Sequence, residues 1–422
     1  MNNYRIAGCI LAITGATLAH GEPIKTELKQ TGTGWQLLRD GKPYFIKGAG
    51  GNWSRPALAA AGGNSFRTWG VGKNTTSQLD EAQKNGLSVS LGFWVGHKKD
   101  GFKADAPAAV SRQLEQFKEA VRAHKDHPAI LVWAIGNEME IGNDTPALWE
   151  SIENMAKAAH EIDPNHPTMT VVAELGGNKV ANIHKYCPSV DIIGINSYAG
   201  GSSVGQRYVK LGGTKPFILT EFGPPGQWET GKSKFGAVNE LTSTEKNKWY
   251  RNTYEKSVLG MPGLCLGSYA FTWGFKVEAT ATWYGMFIPD GSKLAAVDTM
   301  QELWTGKVPE RPCPVISKFG LLTSNEVKAG EIVKAAVEAA DPNGDKLKYE
   351  WTLDSEFHSY SVQSGNAQAA PSHPDAIVKN GELEAVFKMP EAKGVYRIYC
   401  YVRNQHGGAA LGSLPVCVTA GN

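Results

Sequence analysis

Glu138, Glu174 and Glu221 each stand just past a short apolar run, in the contexts Ala134-Ile135-Gly136-Asn137-Glu138, Val171-Val172-Ala173-Glu174 and Leu219-Thr220-Glu221-Phe222-Gly223. Other apolar runs end in side chains able to hold or polarise a ligand: Phe66-Arg67-Thr68-Trp69, Gly92-Phe93-Trp94, Asn196-Ser197-Tyr198 and Phe271-Thr272-Trp273. The runs themselves carry almost no charge. Carboxyls, a guanidinium, amides, a phenol and indoles brought to one mouth can share out proton transfer, nucleophilic attack and ring stacking.

Bringing them together requires a scaffold whose strands all end on one rim. Eight apolar runs occur at 44–48, 64–68, 87–93, 130–135, 168–173, 191–195, 217–220 and 264–271. Their continuous hydrophobicity suits parallel strands covered on both faces. Between them lie helical patterns, such as 110–124 with Leu114, Phe117 and Val121 at helical spacing, and 148–162, stopped by Asp163-Pro164. The expected fold is therefore α/β, a (β/α)₈ TIM barrel over 24–306, opening with a hairpin turned at Asp40-Gly41. An open doubly wound sheet is the alternative, and no Gly-rich phosphate loop follows the first strand to favour it. A barrel gathers its functional residues where strands end, which makes the residues named above the candidate site.

Two of these motifs carry a family resemblance. Gly136-Asn137-Glu138 and Thr220-Glu221-Phe222-Gly223 resemble the paired catalytic motifs of clan A retaining glycoside hydrolases. His127-Pro128, Asp163-Pro164, Trp283-Tyr284-Gly285 and Asp290-Gly291 make the flanking text similar to the family two catalytic domain, and the hairpin with Lys47-Gly48 resembles β-1,3-glucanosyltransferases. The resemblance implies a β-linked oligo- or polysaccharide as substrate and no cofactor. It implies Glu138 as acid/base and Glu221 as nucleophile, held by Arg67 and Tyr198. Asn137 would donate to the sugar 2-hydroxyl, and Trp273 would form the floor beneath the sugar. Asn196, Trp69, Trp94 and Glu174 join them as substrate-binding candidates, Glu174 with a structural salt bridge as its rival reading. Glu140 competes for the acid/base role. Trp53, Trp228 and Trp283 are further stacking candidates, whereas His124 and His127 read as capping or packing residues rather than metal ligands. Retention needs a nucleophilic carboxylate on one side of the anomeric carbon and a proton donor on the other. Water or a second sugar as acceptor stays open, as does a non-catalytic glycan-binding role.

Composition narrows the alternatives. Lys+Arg 43 against Asp+Glu 41 gives a net charge of +2, which excludes the strongly cationic surface a nucleic-acid binder needs. Residues 1–19 read as a signal peptide: Arg5, an apolar stretch over 6–18 and a small-residue cleavage site, which implies a secreted or periplasmic location. No later segment is apolar for the length of a membrane span. Past a proline-rich linker at 307–316, short strand-like runs over 317–422 suggest an immunoglobulin-like sandwich. Its opening, 340–351, resembles polycystic-kidney-disease-type modules, and Asp341-Pro342-Asn343-Gly344-Asp345 reads as a turn rather than a calcium loop. Beyond the signal lie five cysteines, with Cys400 and Cys417 the first pair to consider for a disulfide and buried free thiols the alternative.

Overall fold

The structure, a computed structural model, describes residues 22–357 and 369–420; the expected signal segment lies outside them. Eight parallel strands close into a barrel: β1 (Ile46–Gly51), β2 (Ser65–Arg67), β3 (Ser88–Phe93), β4 (Ile130–Ile135), β5 (Thr168–Ala173), β6 (Ile192–Asn196), β7 (Phe217–Phe222) and β8 (Cys265–Trp273). Each pairs with the next, and β8 pairs with β1. All six residues of β4 are buried, because both of its faces are covered. Ile130, Trp133 and Ile135 join the layer beneath the helices, while Leu131 and Ala134 join the inner core with Met169, Val171, Ile218 and Tyr269.

The crossover helices start and stop on local signals. Helix Pro146–Ile162 begins with Thr145 accepting from the Leu148 amide and Pro146 at its first position, where no hydrogen bond is lost. Leu148, Ile152, Met155, Ala156 and Ala159 form its buried stripe. The last helix, Ala295–Thr305, ends at Gly306 in the left-handed conformation that a C-terminal cap favours.

The N-terminal hairpin, Thr26–Thr31 with Gly34–Arg39, closes the end of the barrel away from the candidate site. Thr26, Trp35 and Arg39 bond to carbonyls of Asn165, Gly263 and Pro128, all in segments that lead into strands. Leu37 joins the inner core, with Leu28, Trp35 and Tyr44 packed against it. The expected turn is present: Asp40 and Gly41 both have positive φ, as a tight two-residue hairpin turn requires.

After the barrel come two β-sheets sharing one apolar core that includes Val333, Val337, Trp351, Phe387, Ile398 and Val416. One sheet has four antiparallel strands. The other has five and incorporates Lys293–Leu294, a strand belonging to the barrel's last loop, paired with Gly408 and Ala409. The segment expected as a linker is pinned at its far end, where the Cys313 amide donates to Asp298 and Asn404 donates to the Pro312 carbonyl. A buried polar cluster joins the two parts: Arg397 meets Glu356 and the Val238 carbonyl, while Ser413 and Lys246 both reach Glu240.

The disulfide expectation is corrected. Cys400 lies opposite Gly412 and Cys417 opposite Val395, so the two thiols are several register positions apart along one ladder, too far for a disulfide. All five described cysteines are free thiols. The Asp341 turn is satisfied from within the chain, accepting from the amides of Asn343 and Asp345 and from Asn404.

Candidate active site

At the C-terminal rim of the barrel lies a cleft of about 900 Å³. Its wall includes Asn137 and Glu138 from beyond β4, Tyr198 from beyond β6, Glu221 from β7, and the indoles Trp69, Trp94 and Trp228. Residues far apart in the chain meet because parallel strands all end at this rim.

Glu221 is held by three donors. Arg67 Nη1 and Trp69 Nε1 each reach Oε1 at 2.8 Å, and the Tyr198 hydroxyl reaches Oε2 at 2.7 Å. The Arg67 side chain is almost wholly buried and also reaches the Thr220 carbonyl at 2.9 Å and Asn137 Oδ1 at 2.7 Å. Backbone space contributes as well: the Trp69 ring lies against Gly50, where a Cβ would come within 2.7 Å of it.

Glu138 has a different environment. Among the described residues its only hydrogen-bonding side-chain neighbour is Asn196, whose Nδ2 donates to Oε1 at 2.8 Å. Burial, then the charge of Glu221, push its carboxyl up to about 7. Its φ of +55° is a conformation that a non-glycine side chain rarely adopts. Asn196 is fixed in turn by Thr220 Oγ1, which donates to its Oδ1 at 2.7 Å. Asn137 accepts from both Arg67 and Asn196 through Oδ1, so its Nδ2 is available to the cleft. One carboxyl is thus clamped by donors while the other holds its proton near neutral pH, the division of labour that acid-assisted displacement at carbon demands.

Tyr198 supplies the simplest test of the clamp. Burial, then the charge of Glu221, raise its phenol well above the ordinary value, so it stays protonated and donates. A hydrogen bond to a charged group contributes about 1.5–3 kcal/mol, so Tyr198→Phe is expected to lower kcat/KM on an aryl β-glycoside about 10- to 150-fold. Steady-state kinetics beside circular dichroism would check this, with the fold unchanged.

Three expected residues lie elsewhere. Trp273 is fully buried, donates to the Ser54 carbonyl and packs on Phe287 and Trp304 in the helix-side core. The β8–β1 pairing is irregular between Phe271 and Trp273, which breaks the alternation and turns Trp273 outward. Phe271 lines the cleft instead, packed edge-on against Trp69 and Tyr198. Glu174 is absent from the cleft wall and engages Arg207 at 2.7 Å, the Ser197 hydroxyl and the Leu175 amide. Glu140 is buried beside Lys179 at 2.8 Å and accepts from the Ala173 amide. Of the other aromatic candidates, Trp283 is buried, Trp53 packs against Phe275 and Phe287, and Trp228 remains on the wall, 57% exposed. His127 lies beside Asp80 and accepts from the Ala129 amide, in keeping with a packing role.

The structure adds residues that strand ends did not reveal. His97 stacks on Trp94 with centroids 4.7 Å apart, and its Nε2 has no hydrogen-bond partner. Tyr284 donates to Gln227 and lines the cleft, as do Lys276 and Glu278 in the loop after β8. Among the described residues no group of three or more His, Cys, Asp or Glu could hold a metal ion, and no helix is long and apolar enough to cross a membrane.

Residues 77–252 match the model of the glycosyl hydrolases family 2 TIM barrel domain. The barrel is similar to a family 2 glycoside hydrolase domain. The chain is 27% identical over 180 residues to the pig β-glucuronidase (Sus scrofa), covering 39% of this chain and 26% of that protein. It is 30% identical over 175 residues to a β-galactosidase of Bifidobacterium adolescentis, covering 39% of this chain and 15% of that protein. The chain therefore spans about a quarter or less of the length of these two relatives. Among solved structures, the β-glucuronidase of Ruminococcus gnavus superposes with a TM-score of 0.54 at 18% identity, covering 68% of this chain and 53% of that one. That of Dictyoglomus thermophilum gives 0.52 at 19%, covering 68% and 54%. These structural likenesses speak for the barrel fold.

Proposed function

We propose that the chain is an exported β-glycoside hydrolase that cleaves a β-linked oligo- or polysaccharide with retention of anomeric configuration. The observation that carries this reading is the asymmetry of Glu138 and Glu221 in one cleft: Glu221 clamped by three donors, Glu138 with its carboxyl raised to about 7. Glu221 attacks the anomeric carbon while Glu138 protonates the departing oxygen. Esterifying Glu221 removes its charge, one of the two main causes of the raised value at Glu138. Glu138 is then a stronger acid and, once ionised, serves as base for the incoming water. Asn137 donates through its free amide to the 2-hydroxyl, a contact that strengthens as positive charge develops on the sugar. β-Glucans are the first polymers to screen, on the glucanosyltransferase resemblance of the hairpin and Lys47-Gly48. The two sheets after the barrel are read as an immunoglobulin-like module.

Nuclear magnetic resonance of a fresh reaction on an aryl β-glycoside tests the reading. The β-anomer of the free sugar is expected first, and initial release of the α-anomer would rule out retention. A second reading, transfer to another sugar, is favoured by Trp94 and Trp228, which remain 44% and 57% exposed on the cleft wall, where an acceptor ring could stack. Products longer than the starting oligosaccharide would mark it.

A further inference from the structure

The cleft contains an ion pair that the proposed chemistry leaves unused. Lys276 and Glu278 face one another in the loop after β8, and both line the cleft. The Lys276 ammonium lies 5.2 Å from the centroid of the Phe271 ring, and Phe271 packs on Tyr198, which donates to Glu221. The pair therefore borders the place where the reacting sugar would sit. Glu278 is held firmly. Its amide and carbonyl exchange hydrogen bonds with Thr280 across Ala279, itself at a φ of +62°. The next residues are tied down from outside the barrel loop: the Ala281 amide donates to the Tyr399 hydroxyl and Lys246 donates to the Thr282 carbonyl.

We propose that the Lys276–Glu278 pair sets the sugar class, selecting neutral β-glycosides over β-uronides by offering one donor and one acceptor to neighbouring hydroxyls. This rests on the glycosidase reading and goes beyond it, because the matched relatives include both glucuronidases and a galactosidase. Two sugar hydroxyls can join a carboxylate and an ammonium without parting them. A uronate carboxylate would have to draw Lys276 away from Glu278, leaving a buried carboxylate unpaired. Other charges offer it little. The wall carries the carboxyls of Asp100, Glu221 and Glu278 beside the protonated Glu138, against the ammonium groups of Lys99 and Lys276; burial lowers the His97 imidazole toward its neutral form, and Arg67 is already engaged by Glu221 and Asn137.

The test is calorimetric binding of deoxynojirimycin, its galacto counterpart and the uronic-acid analogue of each to the full chain. The wild-type protein is expected to bind one neutral compound at least about tenfold more tightly than its uronic analogue. Glu278→Gln frees the Lys276 charge and is expected to shrink that ratio about tenfold, whereas Lys276→Met leaves an unopposed carboxylate and is expected to enlarge it. Loss of structure would shift both variants the same way, so opposite shifts identify the charge effect. Tighter binding of a uronic analogue by the wild type, ratios moving together, or no binding of either class would each overturn the proposal. Turnover of the matching aryl glycosides, measured on the same samples, separates the two readings. Fastest hydrolysis of a uronide would keep the glycosidase and sink the selectivity. Neutral preference without turnover would do the reverse.

Discussion

Replacing Glu221 by glycine is expected to lower kcat on an aryl β-glycoside by about 10⁴-fold or more, the scale seen when a catalytic nucleophile is removed. Adding azide to this variant is expected to restore turnover and yield the α-glycosyl azide. The small anion fills the vacated space and attacks from the face where Glu221 stood. Arg67, Trp69 and Tyr198, which now hold the carboxylate, would be left around the azide as ready donors. Wild-type activity in this variant, or a β-azide from it, would show that Glu221 is not the nucleophile.

The second large effect concerns Glu138. Glu138→Ala is expected to lower kcat/KM about 10²- to 10⁴-fold on glycosides with poor leaving groups, the usual contribution of a general acid. The loss should be far smaller for a dinitrophenyl glycoside, whose leaving group needs no proton. Azide is expected to give the β-glycosyl azide here, because the intermediate on Glu221 still forms and is intercepted from the opposite face. The pH profile carries the same assignment. Burial, followed by the charge of Glu221, sets the Glu138 carboxyl at about 7, so the active protonated form is lost as pH rises through that value. The wild-type profile should therefore fall on its alkaline side from about pH 7, and Glu138→Gln should lack that limb. A limb unchanged in the variant would assign it to another group.

How much of this could be read from the chain follows from what strands do to sequence. Barrel strands are buried on both faces, so a polar residue at the end of an apolar run stands out. That contrast brought Arg67, Trp69, Trp94, Asn137, Glu138, Asn196, Tyr198 and Glu221 to notice together, and all but Arg67 and Asn196 line the cleft, with those two hydrogen-bonded to residues that do. The rule failed where local geometry broke the alternation. Phe271 and Trp273 have the same parity in β8, yet the register between them is irregular and they face different sides. Glu174 ends its strand like its neighbours, yet its partner Arg207 lies in the helix Val204–Lys210 after β6, which no periodicity connects to it. His97, Lys276 and Glu278 stand four or more residues beyond the apolar runs 87–93 and 264–271, where the path of a loop decides what reaches the cleft. Past residue 306, strands such as Ile332–Ala340 and Gly394–Arg403 are legible from their several buried apolar residues. Val315–Leu321, Glu326–Lys328 and Ile377–Asn380 are not, because each holds at most one buried residue and so carries little burial pattern.

The short strand Lys293–Leu294 bears on how such a protein can be assembled from parts. It lies in the barrel's final loop but is bonded to Gly408 and Ala409. A cut after Gly306 would strip this edge of its partner and, at the same stroke, remove Arg397 from the Val238 carbonyl and Ser413 from Glu240 in the segment after β7. Barrel and sheets are therefore not exchangeable cassettes. Shuffling the rear half onto another front half would demand a matching socket.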